Sequence, residues 1–218
     1  MIKMAVFDLD GTLVDSLTDL ALNVNKGLIA NGLPEQPIEN YRKFVGDGRI
    51  KMVERAMGDM SGDEKLRDAV IEVFNREYAV HCNDNTASYP GCDDMLQGLS
   101  ECGILTAVLS NKPDEFVDKI LKKVYPRHGF AEAWGQKPEY KTKPDGGALH
   151  AMMMLHGVTA EECAYIGDSN VDVFTAKNAG VKCVGVSWGF RGKDELLNAG
   201  APFVADTADE LLRYLKCL

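Results

Sequence analysis

No stretch of this sequence stays apolar long enough to cross a membrane. Runs such as Ile104 to Leu109 fall far short of the about 20 residues a spanning helix needs. The start, Met1-Ile2-Lys3-Met4-Ala5-Val6-Phe7, runs straight into acidic residues, with no small-residue cleavage site and too short an apolar region for a secretory signal. A cytoplasmic location is the resulting expectation. C-x-x-C pairs are also missing. Of the six cysteines, at 82, 92, 102, 163, 183 and 217, two lie inside apolar runs, so reduced and mostly buried thiols are expected rather than three disulfides. The four histidines lack metal spacing: His150 and His156 stand six apart, about 240° around a helix, and cannot converge on one ion. Basic residues are few, 24 Lys and Arg against 33 Asp and Glu, for a formal net charge of −9. No basic cluster is interleaved with aromatics, which argues against a nucleic-acid partner. No internal repeat and no low-complexity segment is present.

What remains is an ordinary globular composition, 45% hydrophobic and 26% charged over 218 residues, enough for one large or two modest domains. Met4 to Phe7 reads as a buried strand that stops at Asp8. Leu17, Leu20, Ala21, Val24 and Leu28 then recur at helical spacing, with Gly32 as the residue just past the helix end. Helices are also predicted over 38–57, broken near Gly46-Asp47-Gly48, and over 64–81. No strand pattern appears between residues 15 and 85. Beyond Tyr89-Pro90-Gly91, helix and strand alternate. Helices are expected at 93–98, 115–124, 146–156, 171–179 and 208–215. Strands are expected at 104–109, 130–134, 163–166, 182–186 and 203–204. Alternation of this kind implies a parallel sheet covered on both faces. The expected fold class is therefore α/β, a Rossmann-like parallel sheet with an inserted all-helical segment. The expected division is a core of 1–14 and 86–218 and a helical domain of 15–85.

Parallel sheets carry their sites at the carboxyl ends of strands. Here those ends read Asp8-Leu9-Asp10-Gly11-Thr12, Ser110-Asn111-Lys112 and Gly167-Asp168-Ser169-Asn170-Val171-Asp172, with Lys141-Thr142-Lys143-Pro144-Asp145 in a loop before a helix. Asp8, Asp10, Asp168 and Asp172 in one crevice would repel, and a hard divalent cation removes that conflict. Oxygen ligands favour Mg²⁺, which with Lys143 converts an acidic site into one that accepts a phosphate dianion. Each piece alone has a plainer reading. D-x-D-G can open a calcium loop, but the twelfth loop position counted from Asp8 is Asp19, inside a helix, rather than a bidentate Glu. Ser110-Asn111 can be a polar loop, Lys143-Pro144 a solvated turn, and Asp168-Ser169 a helix cap. Four such elements in order at successive strand ends argue otherwise.

Together these four elements resemble the motifs of the haloacid dehalogenase superfamily, over essentially the whole chain. Val14-Asp15-Ser16, Ala176-x-x-Ala179-Gly180 and Val184-Gly185-Val186-x-x-Gly189 resemble the phosphoglycolate phosphatase branch. The helical insert resembles that superfamily's α-helical cap. Lys143 is preferred over the upstream Lys137-Pro138 because it directly precedes a helix and stands 25 residues before Asp168, a usual interval in the superfamily.

The resemblance implies a phosphatase acting on a small phosphorylated metabolite, best 2-phosphoglycolate, as a monomer or homodimer. Asp8 would be the nucleophile and Asp10 the acid and then base. Mg²⁺ would be held by Asp8, the Asp10 carbonyl and Asp168, with Asp172 in support. Ser110, Asn111 and the Leu9, Gly11 and Thr12 segment would hold phosphoryl oxygens, and Lys143 would neutralise charge. Dehalogenation needs neither an acid at Asp10 nor a metal, so Asp10, Ser110 and Asp168 favour phosphoryl transfer. Gly48 and Arg49, in the break of the helical insert, offer an Arg for a second anionic group; a helix–helix turn with an exposed Arg is the other reading. The alternatives are another phosphoryl-transfer member of the superfamily: a pyrophosphatase, a nucleotide or sugar-phosphate phosphatase, or a mutase resembling β-phosphoglucomutase. A non-enzymatic receiver domain is a remote alternative, because it has no helical insert after its first strand.

Overall fold

A computed structural model describes residues 1–218. The first strand explains the architecture. In β1 (Met4–Phe7), all four residues are fully buried. Ala5 and Phe7 point into one apolar cluster, Met4 and Val6 into another on the opposite face. A strand buried on both sides reads as a continuous apolar run and takes the centre of a parallel sheet.

The chain leaves β1 at once for the helical segment. A two-residue strand, β2 (Val14–Asp15), precedes α1 (Leu17–Ala30), which ends with Gly32 at φ 74°. A 3₁₀ turn, Ile38–Asn40, leads into α2 (Tyr41–Phe44) and α3 (Arg49–Met57). The break expected at Gly46-Asp47-Gly48 therefore forms. A second 3₁₀ turn, Gly58–Gly62, precedes α4 (Glu64–His81), which is capped by Asp63 accepting from Leu66 N–H and packs along α1. The chain returns through β3 (Ala87–Ser88), antiparallel to β2. This short ribbon lies outside the expected pattern, since two residues carry no periodicity.

The remainder alternates as expected. It comprises α5 (Cys92–Glu101), β4 (Leu105–Pro113), α6 (Asp114–Val124), β5 (Glu132–Gln136) and α7 (Gly147–Leu155). After the 3₁₀ turn Ala160–Glu162 come β6 (Cys163–Gly167), α8 (Asn170–Ala179) and β7 (Lys182–Val186). Then follow α9 (Lys193–Ala199), β8 (Val204–Ala205) and α10 (Ala208–Cys217). The six-stranded sheet is parallel throughout, in the order β5-β4-β1-β6-β7-β8. The chain fills one side of β1 and then crosses to the other, so a crevice opens over the ends of β4, β1 and β6.

Two departures have physical causes. β4 runs on to Pro113 because Pro113 pairs again with Gln136 of β5 after a register shift, the buried Ser110, Asn111 and Lys112 forming the irregularity between the two paired stretches. The helix α9 leaves little trace in the sequence because it is short and buries only Leu196. All six cysteines are free; Cys82, Cys92 and Cys163 are buried, Cys183 is half-buried, and Cys102 and Cys217 are exposed.

The two crossings of the helical segment are tied by Asp19, which is 1% exposed. Its carboxylate accepts from Asn85 N–H at 3.0 Å, Thr86 N–H at 2.8 Å, the Thr86 hydroxyl at 2.6 Å and Asn85 Nδ2 at 2.8 Å. Removing it strands the two buried donors of Thr86 and two of the more exposed Asn85, so Asp19→Ala should cost about 2–4 kcal/mol in urea unfolding. A loss below about 0.5 kcal/mol would show that the network does not hold this junction.

Candidate active site

Asp8 is the first polar residue after the apolar strand β1, 6% exposed at the sheet's carboxyl edge. The chain turns immediately: the N–H groups of Leu13 and Val14 both bond Leu9 O at 3.0 Å. Gly11, at φ 87°, completes the turn, and a Cβ there would lie 2.5 Å from Asp168 Oδ2. Only glycine lets this loop press against Asp168.

Asp8 Oδ1 accepts from Leu9 N–H at 2.7 Å and faces Lys143 Nζ at 2.9 Å, whereas Oδ2 accepts no hydrogen bond. Lys143 Nζ also lies 2.8 Å from Asp172 Oδ1. Its backbone is clamped by Asn111, whose Oδ1 accepts from Lys143 N–H at 2.8 Å and whose Nδ2 donates to Lys143 O at 3.1 Å. Lys143 thus points into the site, while Lys137 lies over the Trp134 ring, 4.2 Å from its centroid. Asp168 accepts from Phe190 N–H at 2.6 Å and from the Thr12 hydroxyl at 3.5 Å. Asp172 sits one turn into α8, where its Oδ2 accepts from Ser169 N–H at 3.1 Å and the Ser169 hydroxyl at 2.7 Å, a capping box. The helix-cap reading of this element therefore holds.

Asp10 turns the other way. Both its oxygens lie 2.9 Å from Lys112 Nζ, and Oδ1 also accepts from the Ser16 hydroxyl. Lys112 and Ser16 belong to segments that stand out in the sequence, but neither carries an expected role there; a lysine three residues past an apolar strand is the available signal. Ser110 is 4% exposed and accepts from Lys112 N–H at 3.3 Å, so its own O–H remains to be donated.

The structure brings Asp8, Asp10, Ser110, Lys143, Asp168 and Asp172 together. The phosphate-binding expectation is met unevenly. The N–H groups of Leu9, Gly11 and Thr12 already bond Asp8 Oδ1, Val14 O and Leu9 O, and the Asn111 amide serves Lys143 and Gly46 O. As placed, Ser110 and Lys143 are the groups free to meet a phosphoryl oxygen.

A cavity of about 40 Å³ lies beside Asp8, Asp10 and Ser110, walled from above by Gly48, Arg49 and Met52. Gly48, at φ 86°, lets the α2–α3 loop rest on β5: a Cβ there would lie 2.9 Å from Gln136 Nε2. Arg49 donates to Asn75 Oδ1 at 3.3 Å from that wall.

Crowded negative charge governs the behaviour of the site. One oxygen from each of Asp8, Asp168 and Asp172 lies within 4.8 Å of the others, all three residues being buried. Burial, with the Asp172 charge adding to it, pushes the Asp8 carboxyl up to about 7 against the pull of Lys143. Burial and the charges of Asp172 and Asp8 likewise push Asp168 well above the usual carboxylate range. Burial opposes the Lys143 charge, yet Asp172 and Asp8 hold that ammonium well above its usual range. Protein groups alone leave this carboxylate set under-compensated, and an all-oxygen set with surplus negative charge fits a hard divalent cation.

A family model described as haloacid dehalogenase-like hydrolase matches residues 5–186. A phosphoglycolate phosphatase of Pseudomonas savastanoi pv. phaseolicola is 36% identical over 214 residues, 96% of this chain and 78% of that protein. A phosphoglycolate phosphatase of Vibrio parahaemolyticus is 35% identical, over 98% of this chain and 96% of its own. The fold superposes with a TM-score of 0.92 and 31% identity on a crystal structure from Lactobacillus delbrueckii subsp. bulgaricus, provisionally named a phosphoglycolate phosphatase, covering 98% of each chain.

The raised carboxyls predict a pH dependence of stability. An unfolded carboxyl titrates near 4, whereas Asp8 in the fold titrates at about 7. Between these values the folded chain binds more protons than the unfolded one, so metal-free stability should fall as pH rises through that window. Excess Mg²⁺, binding the ionised carboxylates of the folded chain only, should flatten or reverse the trend. Thermal melts across the window, in chelator and in Mg²⁺, check this. A Tm that climbs with pH in chelator would contradict it.

Proposed function

This chain belongs to the haloacid dehalogenase-like hydrolase family and is a phosphoric monoester hydrolase of it, and from that premise we propose that it hydrolyses a small phosphate monoester, best 2-phosphoglycolate, through a phosphoryl group carried on Asp8. The observation that carries the reading is the asymmetry of Asp8, which lines the cavity together with Ser110: Oδ1 is fixed by Leu9 N–H and Lys143, and Oδ2 accepts no hydrogen bond. The names of the two relatives and the small cavity support the choice of substrate.

In the first step the free oxygen of Asp8 forms a bond to phosphorus as the bond to the substrate's ester oxygen breaks. The Ser110 hydroxyl donates to a phosphoryl oxygen, and Lys143 stays within reach of both Asp8 and the incoming negative charge. Asp10 gives a proton to the departing alkoxide, then takes one from the water that attacks the phosphorus of the aspartyl-phosphate, releasing phosphate and restoring Asp8. Asp8, the Asp10 carbonyl and Asp168 would hold Mg²⁺, with Asp172 in support through Lys143 and the α8 cap. The metal, when bound, supplies the positive charge that lets a phosphate dianion approach these carboxylates.

Residues 15–85 act in this reading as a cap on the core of 1–14 and 86–218. Contacts at the seam support that role: Asn111 Nδ2 donates to Gly46 O at 3.1 Å, and Arg191 donates to Val45 O at 3.0 Å. A cap seated there excludes water and walls the cavity with Gly48 and Arg49.

Asp8→Asn should lower turnover by at least about 10⁴-fold with the circular dichroism spectrum unchanged. Turnover near that of the wild type would sink the nucleophile assignment. Chelation should likewise abolish phosphate release from 2-phosphoglycolate, and added Mg²⁺ should restore it; undiminished release in chelator would remove the metal from the reading.

A further inference from the structure

One wall of the cavity holds a group that the proposed chemistry does not use. Tyr78, near the end of α4, is 1% exposed, and its hydroxyl has no hydrogen-bond partner. Only one other buried side-chain polar atom in the chain, Asn83 Oδ1, is in that condition. A buried unpaired hydroxyl lowers stability, so it needs a reason. Packing alone fixes the ring: Phe74 stacks on it at 5.1 Å and Phe116 meets it edge-on at 5.0 Å. Tyr78 lines the same cavity as Asp8, Asp10 and Arg49.

Beside it stands Lys112. Its Nζ lies 5.0 Å from the Tyr78 ring centroid and 2.9 Å from each Asp10 oxygen, which leaves one of its three N–H groups without a partner. Burial pushes the Tyr78 phenol well above its usual range, against the pull of Lys112, so it is a neutral donor at physiological pH. Tyr78 and Lys112 thus line one cavity, together with Asp8, Asp10 and the apolar Leu20, Val45, Met52 and Phe116.

We propose that Tyr78 is a specificity residue: its hydroxyl, with the remaining N–H of Lys112, receives the oxygens of a carboxylate at the non-phosphate end of the substrate. This rests on the proposed phosphatase reading of the cavity. A phenol O–H beside an ammonium offers donors to a group that accepts, and the ammonium selects an anion. Apolar walls, with few polar groups beyond those assigned to the phosphoryl end, suit a short carboxylate better than a sugar, whose hydroxyls would each need a partner. Tyr78 comes from the helical segment and Lys112 from the sheet, so the pair exists only when the two are packed together.

Tyr78→Phe removes one oxygen and keeps the ring. Kinetics in Mg²⁺ on 2-phosphoglycolate and on ethyl phosphate, which lacks the carboxylate, test the inference. In the variant the ratio of kcat/KM for 2-phosphoglycolate to that for ethyl phosphate should fall about tenfold, mostly through KM. An unchanged ratio overturns the proposal, as does a wild type that shows no preference for 2-phosphoglycolate. A second readout needs no substrate: because the hydroxyl has no partner, the unliganded variant should melt at or above the wild-type Tm. A Tm lowered by about 4 °C or more would mean that the hydroxyl holds the fold, and would overturn the proposal. Asp8→Asn separates the two levels. If that variant turns over both substrates like the wild type, the phosphatase reading itself fails; if it is inactive and the Tyr78→Phe ratio is unchanged, only the inference fails.

Discussion

Four carboxylates share one buried sheet edge, and the structure around them is organised by the cost of holding them there. Asp8, Asp168 and Asp172 are each at most 6% exposed, and Asp10 is nearly as enclosed. Two buried ammonium groups answer them, Lys143 for Asp8 and Asp172 and Lys112 for Asp10. Charges out of water need partners at hydrogen-bond distance, and two cations do not balance four anions. Burial, with this excess adding to it, raises Asp8 and Asp168 out of the normal range, and the excess also suits the crevice to a cation.

The two halves of this charge system have different supports, and the helical segment touches both. Lys143 is aimed by Asn111, which bonds the lysine's backbone on both sides and also reaches Gly46 of the helical segment. Lys112 lies under the ring of Tyr78, from α4. Movement of the helices relative to the sheet would therefore disturb the surroundings of Asp8 and of Asp10 together. In the proposed mechanism that link ties closure over a substrate to the alignment of the groups that act on it.

The sheet and its acidic edge are legible in the sequence because both depend on spacing along the chain. Strands β1, β6 and β7 are apolar runs that end where polar residues begin, and Asp8, Ser110 and Asp168 each stand at the end of an apolar run. Gly11 and Asp172 follow within the same turns. What escapes a sequence reading depends on contacts between distant segments. Lys112 is adjacent to motif residues, but nothing in the sequence states that it meets Asp10, about a hundred residues earlier in the chain. Asn111 belongs to the motif too, yet its amide supports Lys143 rather than standing free for a phosphoryl oxygen. Tyr78 reads as one more core aromatic at helical spacing, and only its surroundings reveal a hydroxyl without a partner.

That contrast bears on how reaction and substrate are encoded. The groups that the proposed reading assigns to phosphoryl transfer lie at the ends of strands whose register is set by a buried sheet, where a one-residue slip would reverse every side chain. The other walls of the cavity come from α3, α4 and the loop between α2 and α3, which pack on the sheet edge through side chains and a few backbone acceptors. An unpaired hydroxyl such as that of Tyr78 weakens the empty protein slightly, and it persists where a ligand repays it on binding. In the proposed reading, the sheet edge accordingly determines that phosphate is transferred, and the helical segment determines which molecule it is taken from.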